Sequence, residues 1–392
     1  MSIIPRTMQA VVYRGPNDLR LEEVPVPQVG PNELLVKVAA CGVCPTDIKK
    51  IQFGIVPPPR IFGHETSGTI VRLGAQTRKF KIGQRVALHH HVPCLDCHPC
   101  RHHAFAQCAQ YKRTGITAGF EPAGGGYAQY VKVLPFVFPG IVKIPAGNSF
   151  IEGAMLEPVN TVLKAIKRLN LLPGDSALVV GQGPIGLLFT RLLDLFGVNV
   201  LASDLLDTRL KMAREMGAKW TMRADVPLGQ KQVGDEVTSL NHSGKDQRLV
   251  TSSPTNHSPP LLDAAIICAP SDAAVLQAQQ RITGGGKVLL FAHTRRGATT
   301  ALDLSAICMD EKDLIGSYSA DFTLQPEVAR LVFSRELDVR PLITHQFPLA
   351  QALAAIELAA HPTPNSLKVV IVPADQPDVM MVNKSKRKET HV

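Results

Sequence analysis

No stretch of this 392-residue chain approaches the ~20 consecutive apolar residues that a membrane-spanning helix needs. No membrane partner is therefore expected. The segment Met1 to Thr7 has no long apolar core, so no secretory signal is expected there, and the expected location is the cytoplasm. Charge is sparse as well. Charged residues make up 19% and hydrophobic residues 45%, the balance of a globular chain with two or three domains. No internal repeat is evident, which excludes a solenoid. Eight cysteines in so long a chain are too few for a disulfide scaffold, and their clustering fits a reducing compartment. Cys268 and Cys308 stand alone in apolar surroundings, where thiols are usually inert.

The net charge is +9, and part of it comes from Lys384, Lys386, Arg387 and Lys388 near the end of the chain. Such a run can touch nucleic acid, but a solvated, disordered terminus is the commoner outcome. No nucleic-acid partner is expected.

Residues 9–158 read as β-rich. Val11 to Tyr13, Leu34 to Ala39, Ser67 to Leu73 and Arg85 to Leu88 are short apolar runs separated by Gly and Pro, as in a compact barrel. Thr161 to Leu169 then looks helical. Strands at Ala177 to Val180, Asn199 to Ser203, Ala264 to Cys268 and Lys287 to Phe291 alternate with helices at Pro184 to Phe196, Thr208 to Met216 and Ala273 to Arg281. That rhythm predicts a doubly wound parallel sheet, so the fold class is α/β with a second, β-rich domain. Residues 224–260 break the rhythm. They are rich in Ser, Asn, Gln, Lys and Pro, and a long, partly disordered loop dispensable for chemistry is expected there.

Three motifs carry chemistry. Cys94, Cys97, Cys100 and Cys108, spaced C-x2-C-x2-C-x7-C, bring four thiolates around one tetrahedral zinc. The histidine runs 89–91 and 102–103 beside them are not expected to be ligands, since the thiolates already complete four positions. Cys44, His64 and a glutamate, Glu65 or Glu157, supply a thiolate, an imidazole and a carboxylate, leaving one position open as catalytic zinc requires. Gly181-Gln182-Gly183-Pro184-Ile185-Gly186 follows an apolar strand and opens a helix. Its glycines allow a tight turn, close approach of a pyrophosphate, and helix–strand packing. Asp204 ends the next strand, where its carboxylate accepts from a ribose 2′-hydroxyl and repels a 2′-phosphate, so NAD is expected rather than NADP.

With these motifs in this order, the chain from about Met8 to Pro373 resembles the zinc-dependent medium-chain alcohol and polyol dehydrogenases, nearest the sorbitol and threonine dehydrogenase branch. The resemblance implies a GroES-like β-barrel catalytic domain at 1–158, with a structural zinc lobe at about 89–110. It implies a Rossmann NAD-binding domain at 159–318, a return to the catalytic domain at 319–378, and a disordered tail at 379–392. It implies two zinc ions per chain, a small-molecule alcohol substrate and a homo-oligomer, dimer or tetramer. Cys44 and His64 would be zinc ligands, with Glu157 third, or Glu65 in some ligation states. Thr46 would relay the alcohol proton and Asp47 would hold the His64 ring. Gly181, Gly183, Pro184, Ile185, Gly186, Asp204, Arg209 and Lys368 would form the cofactor set, with Lys368 near the phosphates. Lys49 stands where many relatives carry a histidine of the outer proton relay. The expected function is hydride transfer between a secondary alcohol, polyol or sugar-like, and NAD. The alternatives are a zinc-knuckle nucleic-acid binder, which leaves the glycine fingerprint unexplained, and a scaffold that has lost catalysis.

Overall fold

The computed structural model describes residues 3–110, 124–225, 262–292, 297 and 299–373. The polar stretch expected to be a loop lies outside these from residue 226 onward, and the basic tail lies outside them entirely. The chain divides into two compact units, Met1–Arg168 with Ser317–Val392, and Leu169–Gly316.

In the first unit β1 (Thr7–Gly15) and β2 (Asp18–Pro25) form an antiparallel hairpin. Next come β3 (Leu34–Gly42), β4 (Arg60–Ile61), β5 (Glu65–Leu73), β6 (Arg85–Ala87), β7 (Tyr130–Val133) and β8 (Val142–Lys143). β4 joins the hairpin in a three-stranded sheet ordered β2-β1-β4. β3 is the hub of the larger sheet. Its sequence, LLVKVAACG, is apolar almost throughout, as a strand covered on both faces must be, and it pairs with β5 and β7. Val11, Val12 and Tyr13 from the small sheet share one core with Leu34, Leu35, Val36 and Ile70 from the large one.

The first boundary falls at 168, not 158. Ser149 and Glu152 form a capping box at the head of the Phe150–Ala154 helix, and the Leu156–Leu169 helix follows directly. Pro158 sits in the first turn of that longer helix, where a missing N–H costs nothing, so it does not end an element. Asn160 Nδ2 donates to Asp321 O at 2.9 Å and Lys164 Nζ donates to Tyr318 O at 2.8 Å, which ties this helix to the returning segment of the first unit.

The second unit holds β9 (Ser176–Val180), β10 (Asn199–Asp204), β11 (Trp220–Arg223), β12 (Leu262–Ile267), β13 (Ile282–Leu290) and β14 (Asp313–Gly316). All pair in parallel, ordered β11-β10-β9-β12-β13-β14. The order reverses at β9, the switch point where doubly wound sheets take their ligands. The Pro184–Leu195 helix buries Leu187, Leu188, Phe189, Leu192 and Leu193 and turns Arg191 and Asp194, a salt bridge, toward solvent. Two strands of the first unit close the chain. β15 (Ile343–Pro348) and β16 (Lys368–Val372) pair in parallel, and β16 joins β3.

Candidate functional site

β3 and β5 run antiparallel with Gly42 opposite Glu65 and Cys41 opposite Thr66. That register places the end of β3, and Cys44 just beyond it, against the head of β5, where His64 and Glu65 lie. Cys44 caps the Pro45–Phe53 helix, its sulfur accepting the Thr46 N–H at 3.4 Å. Ligand atoms of Cys44, His64 and Glu65 all lie within 4.8 Å of one another, the reach of one metal ion.

Asp47 is fully buried behind His64. Its carboxylate lies 3.0 Å from Nδ1 and also accepts the Gly63 N–H at 3.2 Å and the Tyr127 hydroxyl at 3.4 Å. An ionised carboxylate only accepts, so Nδ1 carries the proton and Nε2 is left for a ligand. Burial opposes a charged ring, yet Asp47 and Cys44 hold proton affinity at His64 well above the usual imidazole range. A site that binds a proton so firmly between a thiolate and a carboxylate suits a dication.

Glu65 is held from the other side. Lys368 Nζ donates to Glu65 Oε1 at 2.6 Å, contacts Oε2, and donates to Val43 O at 3.0 Å. Burial lowers the lysine's proton affinity, and the nearby carboxylate and thiolate outweigh it. Lys368, expected at the cofactor phosphates, instead donates to Glu65 and Val43. Gly42 makes room for the pair. A Cβ there would sit 1.8 Å from Glu65 Oε2 and 2.9 Å from Lys368 Cε.

Glu157 is buried nearby but does not join the three. Burial pushes its pKa up to about 7, against the pull of His64, and its Oε1 lies 3.5 Å from His90 Nδ1. Thr46 is half-buried at the second position of the Pro45–Phe53 helix. Burial lowers the proton affinity of Lys49 on the same helix.

In the cysteine lobe, Cys94–Cys100, Cys97–Cys100 and Cys94–Cys108 sulfurs are 3.9, 3.4 and 3.6 Å apart. Four thiolates about one zinc at ~2.3 Å would be roughly 3.8 Å apart, so the lobe fits the ion closely. The Cys97 N–H donates to Cys94 Sγ at 3.4 Å, and the N–H bonds from Asp96 and Cys97 pull the Cys94 thiol down to about 6. Phe105 and Phe322 pack edge to face and seat the lobe on the returning segment. None of the histidines of the runs 89–91 and 102–103 joins either cluster.

In the second unit Gly181 has φ +88, the left-handed turn that glycine permits. A Cβ on Gly186 would lie 1.8 Å from Gly181 O, so that glycine lets the helix start close to the strand. Gly183 caps the helix with open space about it, Pro184 takes the first helical position, and Ile185 is half-buried. Asp204 Oδ2 accepts the Gln182 N–H at 2.6 Å, and Oδ1 accepts the Leu206 N–H at 2.9 Å. Arg209 is buried on the Asp207–Glu215 helix and feels the charge of Asp204.

Sequence reasoning passed over His90 and the Glu65–Lys368 pair. The histidine run was visible, but it was weighed only as a source of ligands and set aside because four thiolates already complete a zinc. β6 ends at Ala87, and the three rings beyond it touch in succession, with centroids 5.1 and 4.7 Å apart.

A GroES-like unit with a thiolate–imidazole–carboxylate cluster, and a Rossmann unit with a complete glycine turn, define a zinc-binding, nicotinamide-dependent dehydrogenase. The alcohol dehydrogenase GroES-like domain matches residues 30–146. Sorbitol dehydrogenase of Bacillus subtilis is 28% identical over 94% of this chain and 98% of its own length, and the Homo sapiens sorbitol dehydrogenase is 29% identical over 90% and 92%. A zinc-binding dehydrogenase of Sinorhizobium meliloti solved with NADP superposes with a TM-score of 0.78, at 26% identity, over 94% of this chain and 99% of that one. Over nearly its whole length the chain is thus similar to zinc-dependent medium-chain alcohol and polyol dehydrogenases.

Proposed function

We propose that this protein oxidises a secondary alcohol of the polyol class with NAD, holding one zinc in the cysteine lobe and one at Cys44, His64 and Glu65. The observation that carries the reading is the convergence of those three ligand atoms within 4.8 Å, with Asp47 behind the imidazole and Lys368 behind the carboxylate. When bound, zinc supplies Lewis acidity at the substrate hydroxyl and NAD accepts the hydride. The Thr46 hydroxyl, two residues past Cys44, takes up the alcohol proton and passes it on. Lys49 is the candidate for the outer step, because burial already weakens its hold on a proton. Asp47 keeps His64 in one tautomer, and Lys368 fixes the direction of Glu65. The buried Glu157 offers an acceptor to a second hydroxyl, which favours a polyol over a simple alcohol.

On the cofactor side, Gly181, Gly183, Pro184, Ile185 and Gly186 cradle the pyrophosphate. Asp204 takes the ribose hydroxyls, and Arg209 steadies Asp204 from behind. β14 ends its sheet, and Leu304, Met309 and Leu314 nearby are exposed, which supports a homo-oligomer measurable by light scattering. Among the described residues no helix is long and apolar enough to cross a membrane. A screen of alcohols and polyols with NAD, followed by absorbance of the reduced cofactor, tests the reading. Turnover of a polyol that stops on chelation and returns with zinc is expected. A zinc-loaded, folded protein that reduces NAD with none of them would refute it.

A further inference from the structure

Two buried glutamates lie near the Cys44–His64 pair, and the structure treats them differently. Glu65 joins the cluster and Glu157 does not. Charge gives a reason for leaving one out. The negative charges of Cys44, Glu65 and Asp47 balance a dication and Lys368, whereas an ionised Glu157 at the metal would leave a buried site with a net charge and a desolvation cost. Charge alone does not say which carboxylate stays out. Lys368 pins Glu65 on one side. On Glu157 the neighbour is His90.

The His90 ring bridges two elements. Nδ1 lies 3.5 Å from Glu157 Oε1, and Nε2 lies 3.1 Å from the Ser319 hydroxyl. The ring is buried and packed on three sides, with centroids 5.3 Å from His64, 5.1 Å from His89 and 4.7 Å from His91. Its far anchor is held as well. Ser319 sits in the left-handed region at φ +64, and its carbonyl accepts from Lys164 Nζ at 3.3 Å. A ring packed this way and tethered at Nε2 keeps Nδ1 facing Glu157.

We propose that His90 is a positioning residue that holds Glu157 out of the metal's ligand set, so that Glu65 is the carboxylate ligand and one position stays open for substrate. The proposal rests on the reading of Cys44, His64 and Glu65 as the ligands. It adds that the choice between the two glutamates is made by their neighbours, Lys368 for Glu65 and His90 for Glu157.

The test substitutes cobalt for zinc and reads the visible spectrum, in which the d–d bands follow the number and kind of ligands. His90→Leu releases Glu157. The bands of the Cys44 site are then expected to change as a further oxygen ligand joins. His90→Asn, which keeps a polar group beside Glu157, is expected to restore the parent spectrum. Glu157→Gln in the His90→Leu background should restore it too, since the released group no longer carries a charge. The polyol KM should rise in His90→Leu more than kcat falls. The four-thiolate lobe contributes equally to every spectrum and subtracts out. A folded His90→Leu protein with unchanged bands overturns the proposal. A Cys44→Ser protein that keeps the bands of this site overturns the ligand assignment beneath it instead.

Discussion

Replacing Asp204 by Asn tests how the cofactor is chosen. Both carboxylate oxygens are fixed by backbone N–H groups, Gln182 at 2.6 Å and Leu206 at 2.9 Å, so the carboxylate cannot swing away from an approaching 2′-phosphate. Two unit charges ~4 Å apart interact by roughly 4 kcal/mol at an effective dielectric near 20, and by roughly 1 kcal/mol in water. Asp204 is half-buried, so an intermediate repulsion of about 2–3 kcal/mol is reasonable, or roughly 30- to 150-fold in the ratio of kcat/KM for NAD over NADP. Asn has the same shape and keeps one carbonyl oxygen for an N–H, while removing the charge. The other N–H loses its acceptor, at a cost of about 1 kcal/mol that lowers stability equally for both cofactors and leaves their ratio untouched. The assay is initial rate against each cofactor with one polyol, for both proteins. Asp204→Asn is expected to reduce the preference by at least ~30-fold, the lower edge of that estimate. A wild-type protein that uses NADP as well as NAD, or an unchanged ratio in the variant, refutes the reasoning.

Elemental analysis should find about two zinc per chain, one for each ligand set. Cys94→Ser should lower stability sharply, because a structural zinc's binding energy is folding energy, while Cys44→Ser should mainly abolish turnover; thermal melts and rates together separate the two. Thr46→Ala in a zinc-loaded protein should lose ~10²-fold or more in kcat and Thr46→Ser should keep most of it, with near-parental turnover in the first refuting the relay. Gly42→Ala drives a methyl to within 1.8 Å of Glu65 Oε2 and should cost metal retention and stability together, on the order of 1–3 kcal/mol as for other overpacked cores; a melt and a chelator competition read both.

Much of the site was legible because its chemistry is local. The C-x2-C-x2-C-x7-C spacing holds four sulfurs on one short loop, and the glycine turn follows one strand and opens one helix, so chain order alone brings the partners together. Cys44, Thr46 and Asp47 share one helix start in the same way. The ends of elements were less legible. The resemblance implied a first boundary at 158, yet the helix that starts at Leu156 runs on and the unit extends to residue 168.

What the sequence determined by itself is the chemical inventory: which thiolates, imidazoles, carboxylates and glycines are present, and which of them are neighbours along the chain. Only the tertiary structure decided how the charged side chains pair. Lys368 is far from Glu65 in sequence, and β16 must lie beside β3, itself in register with β5, before the two meet. His90 reaches Glu157 only because β6 stops at Ala87 and the rings of residues 89–91 meet one another beyond the strand. Pairing of buried charges depends on distance through the fold and on the loss of water around them, and neither is written in the spacing of residues along the chain.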